Sequence, residues 1–434
     1  MSNFLEFFSF SNPNIRYVVL GVILLGALSA LVGVFTFLRK KSLIGDAIAH
    51  SVLPGVCIGF MLAGNKNPYF LLGGAIIAGW ISTWFIQLIT NHSKIKQDAA
   101  LGITLSVFFG VGILLLTVIQ NSGNPNQAGL DHVIFGKAAS IGKTDLLLFI
   151  IVGAVIISAI LLFYRNFVLM SFDMTFAKST GVPIKAMQFV LSTITVLAVA
   201  TGIQAVGVIL MAAMLIIPAA SARFWSNNLK TILLIAAICG ALAGLGGAYV
   251  SYLAPKMPTG PWIIISATAL AVLSMFIAPQ RGLLPRWIRR LDFKKKIIDE
   301  NILKAFYHLG EANGDFYADI NTTTLLAKRA FNAGELAKRL KALTRKKFIV
   351  QHGDLYALTE TGKHEGQRIV KIHRLWEIYL SKYMNLAEDH LHPGAEAIEH
   401  IITPELEALL EKELDFPTTD PHQKEIPYKK LNPS

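Results

Sequence analysis

GDAIAHSVLPGVCIGF, Gly45 to Phe60, carries two ionisable side chains, Asp46 and His50, inside an otherwise apolar run. A spacing of four residues stacks both on one face of a helix. At the start of a membrane span such a pair is costly unless protein or water hides it, or unless it lines a solute path. Spacing alone leaves two readings: a buried hydrogen-bonded pair and a cation site.

The flanks decide the kind of chain. Of 434 residues, 53% are hydrophobic and 16% charged, too apolar a balance for a soluble enzyme of this length. Runs able to cross a hydrocarbon core about 30 Å thick lie near residues 16–37, 44–63, 69–90, 99–119, 145–163, 186–203, 205–223, 231–252 and 261–278. The expected fold class is an all-α polytopic membrane protein of about nine transmembrane helices. TGIQAVG, around Gly202, joins two short runs and reads either as one bent span or as a reentrant pair.

Lys and Arg gather in cytoplasmic loops. They follow the first span (Arg39, Lys40, Lys41), the third (Lys94, Lys96), the fifth (Arg165, Lys178, Lys185), the seventh (Arg223, Lys230) and the ninth (Arg281 onward). That alternation puts the N-terminus outside and everything after about Ala278 in the cytoplasm. It also accounts for a formal charge of +12 without nucleic acid. The start, MSNFLEFFSFSNPNIRYVV, has no basic segment ahead of a cleavable apolar stretch, so no signal peptide is expected. Cys57 and Cys239 both lie in apolar runs and read as packing residues.

After Arg290 the chain turns charged and amphipathic. The expected domains are 1–285, transmembrane; 286–296, a basic juxtamembrane linker; 297–370, an α+β winged helix-turn-helix; and 371–434, a small helical domain and tail. Helices are expected near 297–312, 322–330 and 333–347, then a hairpin from FIVQ and LYAL. TETGKHEG opens a long helix through about Tyr383, capped by Thr359 or Thr361. A last helix is expected from about Gly394 to Leu410. Lys338, Arg339, Lys341 and Arg345, with Lys346, make the third helix basic, suited to DNA phosphates, although Glu335 near its start faces a duplex unfavourably, or to anionic lipid. Glu396, Glu399 and His400 stand at i, i+3 and i+4, either three ligand-type groups on one face or a solvated face.

Four segments carry a resemblance: GDAIAHSVLPGV, DAALGI (Asp98 to Ile103), SFDMTFAKSTGVP (Ser171 to Pro183) and ILMAAMLIIPAASARF (Ile209 to Phe224). In this order, over roughly residues 10–285, they resemble the permease subunits of manganese, zinc and iron ABC importers. The resemblance implies a homodimeric permease in the inner membrane, fed by an extracytoplasmic metal-binding protein and powered by a separate ABC ATPase subunit. It implies that Asp46 and His50 coordinate metal in the path, and that the loop with Asp173, Ala177 and Gly181 seats in the ATPase. Imidazole with carboxylate suits Mn, Fe and Zn. No ATPase motif is present: GKAASIGKT, Gly136 to Thr144, has one residue too many between its first two glycines. The adjacent pair Asp131 and His132 reads as a solvated loop. No organic cofactor is expected; the divalent ion is substrate and candidate effector.

The tail, about 297–428, is similar to metal-dependent repressors of the diphtheria-toxin-repressor type, through HRLWE (His373 to Glu377), LHPGAEAIEH (Leu391 to His400) and DPHQKEIP (Asp420 to Pro427). The similarity implies one metal set of His373, Glu396, Glu399 and His400 and a second of His373, Glu377 and His392. A carboxylate at Glu396 is typical of the manganese branch. One departure stands out. Aligning FYHL, Phe306 to Leu309, puts two first-helix ligand positions on Asn301 and Lys304, and an ammonium repels a divalent ion. Either Asp299 or Glu300 serves instead, or the site is weakened. The leading function is therefore a metal-importer permease with a fused metal-responsive domain. The rival is a membrane-tethered or proteolytically released metal-dependent repressor whose spans sense metal and transport nothing.

Overall fold

Pro13 supplies the φ that a first helical turn needs, and Asn12 before it accepts from Asn14 N at 3.0 Å. Together they open helix α2, Pro13–Leu38, behind the short α1, Ser2–Ser9. Asn67 and Pro68 repeat the device, with Asn67 accepting from Tyr69 N at 3.0 Å, and open α5, Pro68–His92. Between them α3, Ile44–Ser51, and α4, Leu53–Ala63, make one apolar run that stays helical through Val52, whose N–H donates to Ile48 O at 3.0 Å. The computed structural model describes residues 2–39, 43–122, 136, 138, 141–253, 258–384, 396 and 398–428. It divides the chain into two units, Met1–Arg286 and Trp287–Ser434. Asp131, His132 and His392 lie outside the described residues.

The first unit continues with α6 (Gln97–Gln120), α7 (Lys143–Leu162), α8 (Tyr164–Phe172), α9 (Met174–Ser179), α10 (Ile184–Val206), α11 (Val208–Trp225), α12 (Leu229–Leu253) and α13 (Thr259–Ile277). Among the described residues, 8 helical stretches are long and apolar enough to cross a membrane, and Met211–Trp225 is a shorter apolar helix beside them. The ambiguous run TGIQAVG proves to be the end of α10, broken at Gly207, whose φ of 90° and ψ of 164° suit only glycine. Gly26 of α2 and Gly240 of α12 face each other so closely that a Cβ on either would strike the other's carbonyl oxygen. Small residues at such crossings let membrane helices pack by backbone contact.

The second unit holds α14 (Leu283–Asn313, of which Trp287 onward belongs here), β1 (Ile320–Asn321), α15 (Thr322–Lys328), α16 (Ala333–Arg345), β2 (Ile349–His352), β3 (Leu355–Leu358), α17 (Glu360–Met384) and α18 (Pro404–Glu413). The sheet is antiparallel in the order β1-β3-β2, with Tyr356 between Ile320 and Gln351. Leu336, Leu340 and Leu343 of α16 form one buried face with Phe306, Leu325 and Ile349. Helices and hairpin follow the expected order of a winged helix. Thr359 caps α17, accepting from Gly362 N at 3.1 Å, while Thr361 donates to Lys347 O at 2.9 Å. Two details differ from expectation. Residues 286–296 are helical within α14, and the helix expected near 394–410 is interrupted: Glu396 and Ile398 are helical, the chain turns at 399–401, and Thr403 and Pro404 form the fresh N-terminus of α18.

Candidate functional site

Asp46 sits in the first turn of α3, where the helix dipole favours a carboxylate, and His50 lies one turn on. Their Oδ1 and Nε2 atoms are 3.5 Å apart, with Asp46 half-exposed and His50 largely covered. Two donors each about 2.1 Å from one ion, at a near-tetrahedral angle, stand about 3.4 Å apart, so the separation suits joint ligation. His50 Nδ1 is buried with no hydrogen-bond partner. Phe109 holds the imidazole edge-to-face, at 4.9 Å between ring centres and 89° between planes. Among the described residues no three His, Cys, Asp or Glu side chains gather as a metal-holding group.

Beside α3 lies a polar cavity of about 370 Å³, lined among others by Arg39, Thr83, Gln87, Asn91, Gln188 and Ser192. Arg39 Nη2 is buried there without a hydrogen-bond partner. Neither this cavity nor Phe109 was legible in sequence, since the lining comes from α2, α5 and α10 and no motif joins them.

The segment Ser171 to Pro183 folds into α8 and α9 with Asp173 between them. Asp173 is the N-cap of α9, accepting from Phe176 N at 2.9 Å. Ala177 is the fully buried residue of α9, and Gly181, at φ 82°, reverses the chain after it. Sequence reasoning missed the outward face: Phe172, Met174 and Phe176 are 61%, 44% and 54% exposed. These three apolar side chains, exposed in series outside the spans, are the kind of surface that proteins cover with a partner.

In the second unit His373, Glu377, Glu399 and His400 are all buried, as are Glu300 and Lys304. Lys304 Nζ donates to both Glu399 oxygens, at 2.8 and 3.1 Å, and lies 3.0 Å from His373 Nδ1. Glu399 Oε2 also accepts from His373 Nδ1, and His373 Nε2 faces Glu377 Oε1 at 3.2 Å. His400 bridges Glu300, at 2.6 Å from Nδ1, and Glu399, at 3.4 Å from Nε2. Burial works against the charged form of His373, but hydrogen bonds to Glu377 and Glu399 outweigh it and raise its pKa. Burial likewise opposes the Glu399 anion, and His373 and Lys304 overcome it and lower its pKa. Burial lowers the pKa of Lys304 despite Glu399. The expected ligands His373 and Glu377 of α17 and Glu399 and His400 of the turn before α18 are thus brought together around the Lys304 ammonium of α14. Glu396 pairs with Arg329 at 3.2 Å.

On α16, Lys338, Lys341 and Arg345 are exposed. Arg339 is not available in the same way: its Nε donates to Asp299 Oδ1 at 2.7 Å, its Nη2 donates to Oδ2, and Lys346 donates to the same carboxylate at 2.9 Å.

Comparison with known proteins agrees with both halves. Residues 11–278 match the ABC 3 transport family, and residues 359–428 match the iron dependent repressor, metal binding and dimerisation domain. The manganese transport system membrane protein MntC of Bacillus subtilis is 42% identical over 379 residues, covering 87% of this chain and 86% of its own. The zinc transport system membrane protein TroC of Treponema pallidum is 43% identical over 282 residues, 65% of this chain and 95% of its own. The solved structure of PsaBC from Streptococcus pneumoniae in complex with Fab is 33% identical, with a TM-score of 0.59, and covers 66% of this chain and 99% of that one. The chain belongs to the ABC 3 transport family, as a multi-pass permease carrying a metal-dependent-repressor domain behind its membrane helices.

Proposed function

We propose that this permease imports a divalent first-row metal, manganese or zinc by its relatives and iron by the chemistry of its donors, into the cytoplasm. The observation that carries the proposal is the Asp46–His50 pair: an unpartnered imidazole nitrogen and a carboxylate at ligation spacing inside a span, where an idle pair is costly. The metal passes this pair and reaches water through the polar cavity beside α3. Access alternates between the two sides as partner subunits hydrolyse ATP. The α8–α9 segment, with Asp173, Ala177 and Gly181 shaping it and Phe172, Met174 and Phe176 facing out, seats on that ATPase. An extracytoplasmic metal-binding protein delivers the ion, two copies of the chain form the pore, and the second unit is a cytoplasmic regulatory domain. A membrane sensor that transports nothing has no use for an exposed coupling segment, which speaks against the rival reading.

The test is uptake of radioactive Mn, Zn and Fe in cells lacking their own importers, expressing the chain with its ATPase and binding protein. Asp46→Ala and His50→Ala are expected to abolish uptake with the protein still in the membrane. Unchanged uptake in both overturns the assignment.

A further inference from the structure

We propose that the Lys304 ammonium is a built-in cation, standing where a metal ion would bridge His373 and Glu399, so that this cluster holds together without metal. The proposal rests on the family match of the tail, which implies a metal site here, and departs from it on the residues present. Three separate elements meet at one nitrogen: Lys304 from α14, His373 from α17, and Glu399 from the turn before α18. The distances from Nζ to the two carboxylate oxygens, 2.8 and 3.1 Å, are those of charge-assisted hydrogen bonds, and His373 Nδ1, which shares the same carboxylate, stands 3.0 Å away.

A metal cannot simply join this ring. Both Glu399 oxygens are engaged by Lys304, and His373 and His400 share them as well. Each nitrogen of His373 faces a carboxylate, and Glu300 faces His400 Nδ1. An entering dication would have to displace a side chain that is 5% exposed, from an acceptor that is fully buried. If Lys304 stayed, a dication would sit within a few ångströms of a like charge. If it left, its ammonium would give up both hydrogen bonds to the buried Glu399 carboxylate. Asn301, the other first-helix position, adds a single neutral oxygen, Oδ1, which is buried without a hydrogen-bond partner. This donor set fits a lysine better than a metal.

The experiment uses the full-length chain in lipid nanodiscs, with Asp46→Asn throughout so that the membrane pair is silent, and Mn(II) and Co(II) as probes. Metal per chain is measured by equilibrium dialysis, the Co(II) absorption spectrum reports the donor set, and limited proteolysis reports protection of residues 359–428. With Lys304 present, Glu399→Gln is expected to change neither the metal stoichiometry nor the Co(II) spectrum, and EDTA is expected to leave the protease protection unaltered. Lys304→Glu, or the neutral Lys304→Met should the first variant not fold, is expected to gain one metal per chain that Glu399→Gln removes. A metal equivalent in the Lys304 chain that disappears with Glu399→Gln overturns the proposal, as does protection in that chain that EDTA withdraws. Absence of any gain in a folded Lys304 variant counts against it equally. None of these readouts involves transport, so failure of the importer reading would leave them interpretable.

Discussion

His50 shows what one residue contributes and what a sequence hides. Its spacing from Asp46 is written in the chain, because two side chains four residues apart on a helix share a face whatever surrounds them. Phe109, which fixes the imidazole plane, lies on another helix and could not be read from spacing. Groups that orient a ligand typically contribute about 10- to 100-fold in metal affinity. Phe109→Ala is therefore expected to weaken metal dependence of uptake by about tenfold, less than loss of His50 itself, as read from the metal concentration for half-maximal uptake. His308 offers a second residue-scale case. Burial, with the charges of Lys304 and Arg374 nearby, pushes its pKa down from 6.5 to about 4. Between those two values the unfolded chain binds a proton that the folded tail refuses, so stability falls as pH falls through the window, by at most on the order of 3 kcal/mol. His373 has the opposite sign: its raised pKa gives stability that is present at low pH and lost as pH rises through the folded value. His308→Gln is expected to flatten the loss of tail thermal stability between pH 6.5 and 4, measured by calorimetry on the full chain.

At the scale of elements, the spans were legible from apolar length, and the winged helix from the order of its amphipathic segments. The breaks were not. The break at Gly207 between α10 and α11 showed in sequence only as an ambiguity, and the two-residue β1 is too short to leave a pattern. The proposed coupling segment was placed by its likeness to a family, yet its exposed apolar face, Phe172, Met174 and Phe176, emerges only once Ala177 is seen to turn inward. Phe172→Asp with Phe176→Asp is expected to abolish co-purification with the ATPase subunit and uptake together, while metal binding at Asp46 and His50 persists. Retained co-purification would place the ATPase elsewhere. On α16 the basic residues divide by partner. Lys338→Ala, Lys341→Ala and Arg345→Ala are expected to leave the tail folded and to lower any salt-sensitive binding to DNA or anionic vesicles. Arg339→Ala instead removes two charge-assisted hydrogen bonds from the buried Asp299 and is expected to destabilise the tail by about 2 kcal/mol. Thermal unfolding of the four variants separates the two classes.

At the scale of the whole molecule, sequence reasoning identified two functions in one chain and left open how they communicate. The residue at issue is Lys304, since a metal-responsive tail needs a site that empties and fills, and here the acceptors are already filled from within the chain. A two-state element shifts only when a ligand distinguishes its states. If the cluster is closed by its own lysine, metal at that position cannot bias it. Any influence of the tail on transport is then constant. Uptake by a chain truncated after Lys296, divided by uptake of the full chain, is expected to be the same factor whether internal metal is low or high. The full chain carrying Lys304→Glu supplies the contrast, because it restores a carboxylate where the ammonium stood. Its uptake is expected to become sensitive to internal metal, and that sensitivity is expected to vanish when Glu399→Gln is added. A truncation ratio that climbs with internal metal in the unaltered chain would instead mean that the tail senses metal through other residues, and Lys304 would be a structural strut rather than the reason for indifference.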